Sequence, residues 1–141
     1  LAEEKQVRLQ LVGAAEIVGD RLMLRRALSN LLSNAIRYTP PGEQVVVDIQ
    51  GDLHGTTVDV VNTGPSIDAQ MIPRLFDRFF RADKSRKQLD SDGAGLGLSI
   101  TQAIVHAHRG RISVSSADGR TCFSMYFPSA QSIGKHLTTN A

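Results

Sequence analysis

The sequence predicts an α/β chain: a two-layer α/β sandwich in which a mixed sheet carries helices on one face. Three observations predict it. Short stretches with apolar residues at alternate positions come in adjacent pairs. Two longer stretches with a helical period lie between the pairs. The order does not alternate single strands with helices, so a doubly wound parallel sheet is not expected.

Taken in order, residues 5–13, KQVRLQLVG, alternate in part and end in glycine, which predicts a strand. AEIV, 15–18, predicts a short second strand. Gly19 and Asp20 break the pattern, and Asp20 suits a helix N-cap. From Arg21 to about Tyr38 the period is helical. Leu24, Leu28, Leu31, Leu32 and Ala35 fall within an arc of roughly 100°. The prolines of TPPGE, 39–43, stop that helix. QVVVDIQ, 44–50, and TTVDVVN, 56–62, predict a hairpin across GDLHG. TGPS is a turn, and 68–80 reads as one or two short helices. Residues 81–95 are polar, charged and glycine-rich without any period, which predicts a long mobile loop. Residues 96–108 return to a helix that Gly110 ends. RISVSS and TCFSMYFP predict a second hairpin across ADGR. The expected organisation is one domain over 1–128 and a frayed polar tail over 129–141.

The bulk properties exclude more than they assert. A chain of 141 residues with 41% apolar and 21% charged residues suits one globular core. A net charge of +2 without a Lys/Arg stripe gives no reason to expect a nucleic-acid partner. The single cysteine, Cys122, excludes an internal disulfide and sits in an alternating run, where a small core residue is expected. No run approaches the roughly 20 apolar residues that span a bilayer. The charged start LAEEKQVRLQL carries no apolar signal segment and is expected to continue from a longer chain.

Four segments carry chemistry. On the first helix Asn30, Asn34 and Arg37 follow at i, i+4 and i+7 and share one arc with Tyr38, beside the apolar stripe. Asn costs a helix about half a kcal/mol relative to Ala, so an aligned pair asks for a reason. Amide oxygens are hard neutral ligands that suit Mg²⁺, and an Arg one turn on can meet the phosphate that accompanies it. Tyr38 can pack on a base or sugar. The plain alternative is a solvated polar face. In VVNTGPSI, Asn62 ends a strand and offers both an acceptor and a donor to an adenine edge, while Gly64 lets backbone approach; a bare turn is the alternative. RLFDRFFRAD places Phe76 and Phe79 as core anchors, with Arg78 and Arg81 beside them. Gly93, Gly95 and Gly97 run into a helix start, where freed backbone N–H groups and the helix dipole suit an anion. The form is neither a P-loop nor a dinucleotide fingerprint, and a loose connector is the alternative.

The order of these segments resembles the GHKL ATP-binding superfamily, and more closely the catalytic and ATP-binding domain of bacterial sensor histidine kinases. SNLLSNAIRYTP is similar to the N box, NTGPSI to the first glycine box, LFDRFFR to the F box and DGAGLGLSI to the second glycine box. HAHRGRISVSS and GRTCFSMYFP resemble the family's last helix and hairpin, so the likeness covers about residues 5–128. It implies a sandwich of Bergerat type, with ATP between the N box helix and an ATP lid at 81–97. By resemblance Asn34, with Asn30 assisting, holds Mg²⁺, and Asn34 and Arg37 form the catalytic pair. The implied nucleotide contacts are Asn30, Asn34, Arg37, Tyr38, Asn62, Gly64, Ile67, Phe79, Arg81, Gly93, Ala94, Gly95, Leu96, Gly97 and Leu98.

One departure is chemical. The family's first glycine box usually begins with Asp, and here Asn62 stands in that place. Its amide oxygen can still accept the adenine amino group but carries no charge, a feature that resembles the heavy-metal-sensing subgroup. The acceptor histidine is the other gap. His54, His106, His108 and His136 lack the family's acceptor setting and are expected at the surface. The resemblance therefore implies a half that holds ATP and Mg²⁺ and phosphorylates a histidine on a separate dimerisation domain of the same parent, with a response regulator downstream. The domain alone is expected to be a monomer and its parent a homodimer, anchored in the bacterial inner membrane with this domain in the cytoplasm. An ATPase of the same superfamily is the alternative, but MLRRALSN, 23–30, holds no carboxylate to activate water. A binding module without chemistry is the third reading.

Overall fold

Among the described residues, alternating side chains build five strands: β1 (Arg8–Val12), β2 (Gln44–Gly51), β3 (Gly55–Thr63), β4 (Arg111–Ala117) and β5 (Arg120–Pro128). The structure, a computed structural model, describes residues 6–77 and 97–130. The strands form one sheet in the order β1-β2-β3-β5-β4. β1 pairs with β2 in parallel, and the other three pairings are antiparallel. Among the described residues two α-helices, α1 (Arg21–Tyr38) and α2 (Gly97–Ala107), separate the paired strands along the chain. This is the two-layer mixed-sheet sandwich that the sequence predicts.

Period two decides which sheet face is covered. Val45, Val47, Val58, Val60, Phe123, Met125 and Phe127 are buried and point to one side. They meet Ala27, Leu31, Ala35 and Ile36 of α1 and Ile104 and Val105 of α2. The neighbouring positions, Asp48, Asp59, Ser115 and Cys122, line a groove on the other face. Asp20 caps α1 as expected, its Oδ1 accepting from the Met23 N–H at 3.0 Å. The β4–β5 hairpin closes through Asp118 and Gly119, both at positive φ (54° and 75°), the two-residue turn that matches strand twist. In the β2–β3 turn, Oδ1 of Asp52 accepts from His54 and Gly55 N–H at 2.7 and 3.0 Å. Those two donors hold the Asp52 carboxyl below its ordinary range.

Four expectations are corrected. AEIV, 15–18, is not a strand. The chain turns away from the sheet edge at Gly13 (φ 82°) and passes the end of the core, where Ile17 packs and the Glu16 carbonyl accepts from Thr56 Oγ1 at 2.9 Å. Of the helices expected over 68–80, the described residues form only a 3₁₀ turn, Ile72–Arg74. Successive i to i+3 bonds from Met71 to Asp77 and Pro73 at the start of the turn account for it. Cys122 is half-buried on the outer face, since alternation gives Thr121 and Phe123 to the core side. Burial and the neighbouring Asp59 raise its thiol above the usual range, with Arg120 opposing. His108 is no free surface residue: both ring nitrogens are bonded. His136 and the long loop at 81–95 lie outside the described residues.

Candidate functional site

α1 presents Asn34 and Tyr38 one turn apart, beside its buried stripe of Ala27, Leu31 and Ala35. Asn62, one residue before the end of β3, lies on the covered side of the sheet, only 4% exposed. Its cross-strand partner on β5 is Thr121, likewise buried. These four side chains wall a cavity of about 320 Å³. Phe123 lies at its base, and Pro65, Ser66, Ile67, Asp68 and Met71 close it from the loop that follows β3. Among the described residues, no hydrogen-bond partner is seen for the Asn34 or Asn62 amide. Two amides thus face a mainly apolar chamber, which is the pattern of a small-molecule site.

Polar stitches hold the far wall. The Ile67 N–H donates to Ser116 Oγ at 2.8 Å, and Ser116 Oγ shares a bond of 2.7 Å with Thr121 Oγ1. The Gly64 N–H donates to the Gly119 carbonyl at 2.9 Å. Gly64 itself sits at φ 145°, and a Cβ there would stand 3.0 Å from Pro40 Cδ and 3.2 Å from the Tyr38 carbonyl. Its bare backbone therefore lets the loop after β3 close against the end of α1, next to Tyr38. Phe76 packs edge-on against Phe123 at 6.4 Å between ring centroids, the core anchoring that the sequence predicts.

A second contact ties the early helix to the late one. Asn30 Nδ2 donates to the Gly97 carbonyl at 3.2 Å, and Thr101 Oγ1 donates to the same oxygen at 2.9 Å. Gly97, the first residue of α2, is thereby held one turn before Asn34 on α1. The two places on which the sequence reading depends, the amide-bearing helix and the end of the glycine stretch, are neighbours in the fold.

The remaining candidates fall into three groups. Asn34, Tyr38, Asn62 and Ile67 line the cavity. Asn30, Arg37, Gly64, Gly97 and Leu98 are described but are not among its lining residues; Arg37 follows Asn34 on α1, half-buried, and Leu98 packs against the core. Phe79, Arg81, Gly93, Ala94, Gly95 and Leu96 lie outside the described residues. Sequence reasoning missed Thr121, Phe123, Ser66, Asp68 and Met71. The alternation of TCFSMYFP marks Thr121 as facing the same side as Phe123, but its pairing with Asn62 is a matter of sheet register.

The described donors suit magnesium in a limited way. No three His, Cys, Asp or Glu side chains gather to hold a metal ion among the described residues. An amide such as Asn34, without a carboxylate cage, fits an ion that keeps waters and takes phosphate oxygens.

Residues 19–131 match the family model described as "Histidine kinase-, DNA gyrase B-, and HSP90-like ATPase". The chain is 52% identical over 129 residues to the sensor histidine kinase CusS of Escherichia coli O157:H7, covering 91% of this chain and 27% of that one. It therefore spans about a quarter of the length of this relative. The mycobacterial sensor histidine kinase MprB superposes with a TM-score of 0.78 at 29% identity, over 90% of this chain and 87% of that one. ShkA in complex with AMPPNP superposes at 0.73 with 26% identity, over 90% of this chain and 26% of that one. With the matched region running from the cap of α1 through β5, and with structural neighbours among histidine kinase catalytic domains, the chain belongs to the histidine kinase-, DNA gyrase B- and HSP90-like ATPase family.

Proposed function

We propose that this chain binds ATP with Mg²⁺ and supplies the γ-phosphoryl group to a histidine on a separate dimerisation domain of its parent protein. The observation that carries the reading is the cavity of about 320 Å³ with Asn62 and Thr121 at its sheet side and Asn34 and Tyr38 at its helix side. A planar base suits the apolar chamber of Ile67, Met71 and Phe123. Asn62 supplies the directional contact: its amide oxygen accepts from the adenine amino group. The described end of the glycine stretch supports a triphosphate on the side of Asn30 and Asn34, since Gly97 is bonded there. The complex of ShkA with AMPPNP supports the same ligand class.

In this reading Asn34 holds the magnesium, with Asn30 assisting, and the ion screens charge on the phosphates when bound. Arg37 meets phosphate charge from the same helix. Gly93, Gly95, Gly97 and Leu98 give backbone contacts, and Phe79, Arg81, Ala94 and Leu96 complete the lid side. An imidazole nitrogen of the partner domain attacks the γ-phosphorus in line. The P–N bond forms as the bond to the β,γ-bridging oxygen breaks, ADP departs, and the imidazole proton passes to a base outside this chain. The response regulator then takes the phosphoryl group. No helix among the described residues is long and apolar enough to cross a membrane. The parent is a homodimer anchored in the bacterial inner membrane, with this domain on the cytoplasmic side.

The hydrolytic alternative needs a carboxylate at the water. α1 holds none, and among the described residues the one carboxylate lining the cavity, Asp68, has its Oδ1 bonded to the Gln70 N–H at 3.0 Å. Transfer of ³²P from labelled ATP to a supplied histidine-bearing helical hairpin tests the reading. Labelled hairpin is the expected result. Phosphate release without transfer favours the ATPase, and nucleotide binding with neither reaction favours a binding module.

A further inference from the structure

Each helix end leaves donors or acceptors that need partners. At the start of α1, Asp20 satisfies the Met23 N–H, but its own N–H needs an acceptor. In a capping box a Glu or Gln at the third helical position reaches back to it. That position here is Met23, which carries no such group. The acceptor comes instead from His108, 88 positions away, whose Nε2 takes the Asp20 N–H at 3.0 Å.

The ring is held so that it can only accept there. His108 directly follows α2, where Arg109 takes a positive φ of 62° and Gly110 N–H returns to the Val105 carbonyl at 2.9 Å. At that end His108 Nδ1 lies 2.8 Å from the Ile104 carbonyl. A carbonyl accepts only, so Nδ1 carries the proton and Nε2 presents its lone pair. The ring rests edge-on against Phe127, 6.3 Å between centroids. Room for it comes from Gly19: a Cβ there would overlap the ring, lying 2.6 Å from Nε2.

α1 and α2 are thus joined twice. Asp20 to His108 links the start of α1 to the end of α2, and Asn30 to Gly97 links the middle of α1 to the start of α2. Ten residues separate the two links on α1 and eleven on α2, so both span about 15 Å of helix. Two pins at that separation remove sliding and pivoting that one pin allows. The far pin therefore fixes where Gly97 stands relative to Asn34. The geometry points to His108 as a positioning residue for nucleotide binding: its Nε2 locks the register of the two helices that carry the phosphate side of the site. This rests on the reading of the cavity as a nucleotide site.

The test is titration of a fluorescent ATP analogue, with Mg²⁺, into the 141-residue chain and its variants. His108→Phe keeps a ring on Phe127 and removes the acceptor; affinity is expected to fall about fivefold, the scale of one net hydrogen bond. His108→Gln keeps an acceptor at the ε position and is expected to bind within about twofold of wild type. Should His108→Phe not fold, Gly19→Ala displaces the ring without altering its chemistry and is expected to give the same loss. ¹⁵N spectra of the wild-type imidazole are expected to report the Nδ1–H tautomer. Equal affinity in wild type and His108→Phe, failure of His108→Gln to restore binding, or the Nε2–H tautomer overturns the inference. A wild-type chain that binds no nucleotide overturns the site reading itself, and this inference with it.

Discussion

Asn62 and Thr121 are direct cross-strand partners on β3 and β5, both buried, and both turn their side chains into the cavity that Asn34 and Tyr38 close from the helix. A hydrogen-bonding group is thereby fixed by two strands rather than by a loop. Thr121 is tied in turn through Ser116 to the Ile67 N–H, so the sheet side of the chamber is braced to the loop that lids it. Rigid placement of few polar groups in an apolar chamber is what gives such a site selectivity.

Asn62→Ala removes the group assigned to the base and leaves a buried hole beside Thr121. Affinity for ATP is expected to fall by about 1–3 kcal/mol, roughly fivefold to 150-fold. Asn62→Asp keeps the acceptor oxygen and is expected to retain binding. Titration of a fluorescent nucleotide measures both, and unchanged affinity in Asn62→Ala refutes the assignment.

Asn34→Ala bears on magnesium. Asn34 is half-buried, and Ala is the better helix former, so the unliganded variant is expected to unfold within about 0.5 kcal/mol of wild type. The extra thermal stabilisation that Mg²⁺ adds to ATP is expected to vanish, leaving the level seen with ATP and a chelator. Thermal unfolding with and without the chelator decides it; a retained magnesium increment removes Asn34 from that role.

Gly64→Ala forces a Cβ into a conformation at φ 145° and against Pro40 and the Tyr38 carbonyl. A loss of about 1–3 kcal/mol in stability is expected, together with weaker nucleotide binding because Tyr38 is displaced. Chemical denaturation and titration on one preparation check both. A neutral outcome means that the close approach relaxes freely.

Asp52 sets an acid limb of the stability curve. Its folded-state carboxyl is held below its ordinary range by the His54 and Gly55 N–H groups. The unfolded chain then binds a proton first as pH falls. The contribution is present above the ordinary carboxylate range and is lost as pH drops through the folded value. Asp52→Asn keeps an acceptor without a titrating charge. Between roughly pH 5 and pH 2 its unfolding midpoint is expected to fall less steeply than that of wild type. Parallel slopes in the two proteins contradict this.

The strands of residues 44–63 and 111–128, the N-cap at Asp20 and both helices were legible because each is written within a few neighbouring residues: alternation, a 3.6-residue period, a capping carboxylate, a turn of Asp and Gly. AEIV misled for the same reason. Its apolar residues cover the end of the core instead of pairing, and nothing local records whether a sheet edge is free to receive a strand. Asn34, Tyr38 and Asn62, which line the cavity, stand out in the sequence as amides and a ring, whereas Ile67 was marked by the resemblance alone.

By itself, then, the sequence determined both helices, the paired strands of residues 44–63 and 111–128, and which side chains carry polar chemistry. Only the tertiary structure decided which of them meet. Thr121 joins Asn62 through strand register, Gly97 reaches Asn30 through helix packing, and His108 bonds the N-cap residue of α1, Asp20, from 88 positions away. Such pairings depend on the closing of long loops around a shared core, and that free energy belongs to the whole chain and to no window within it.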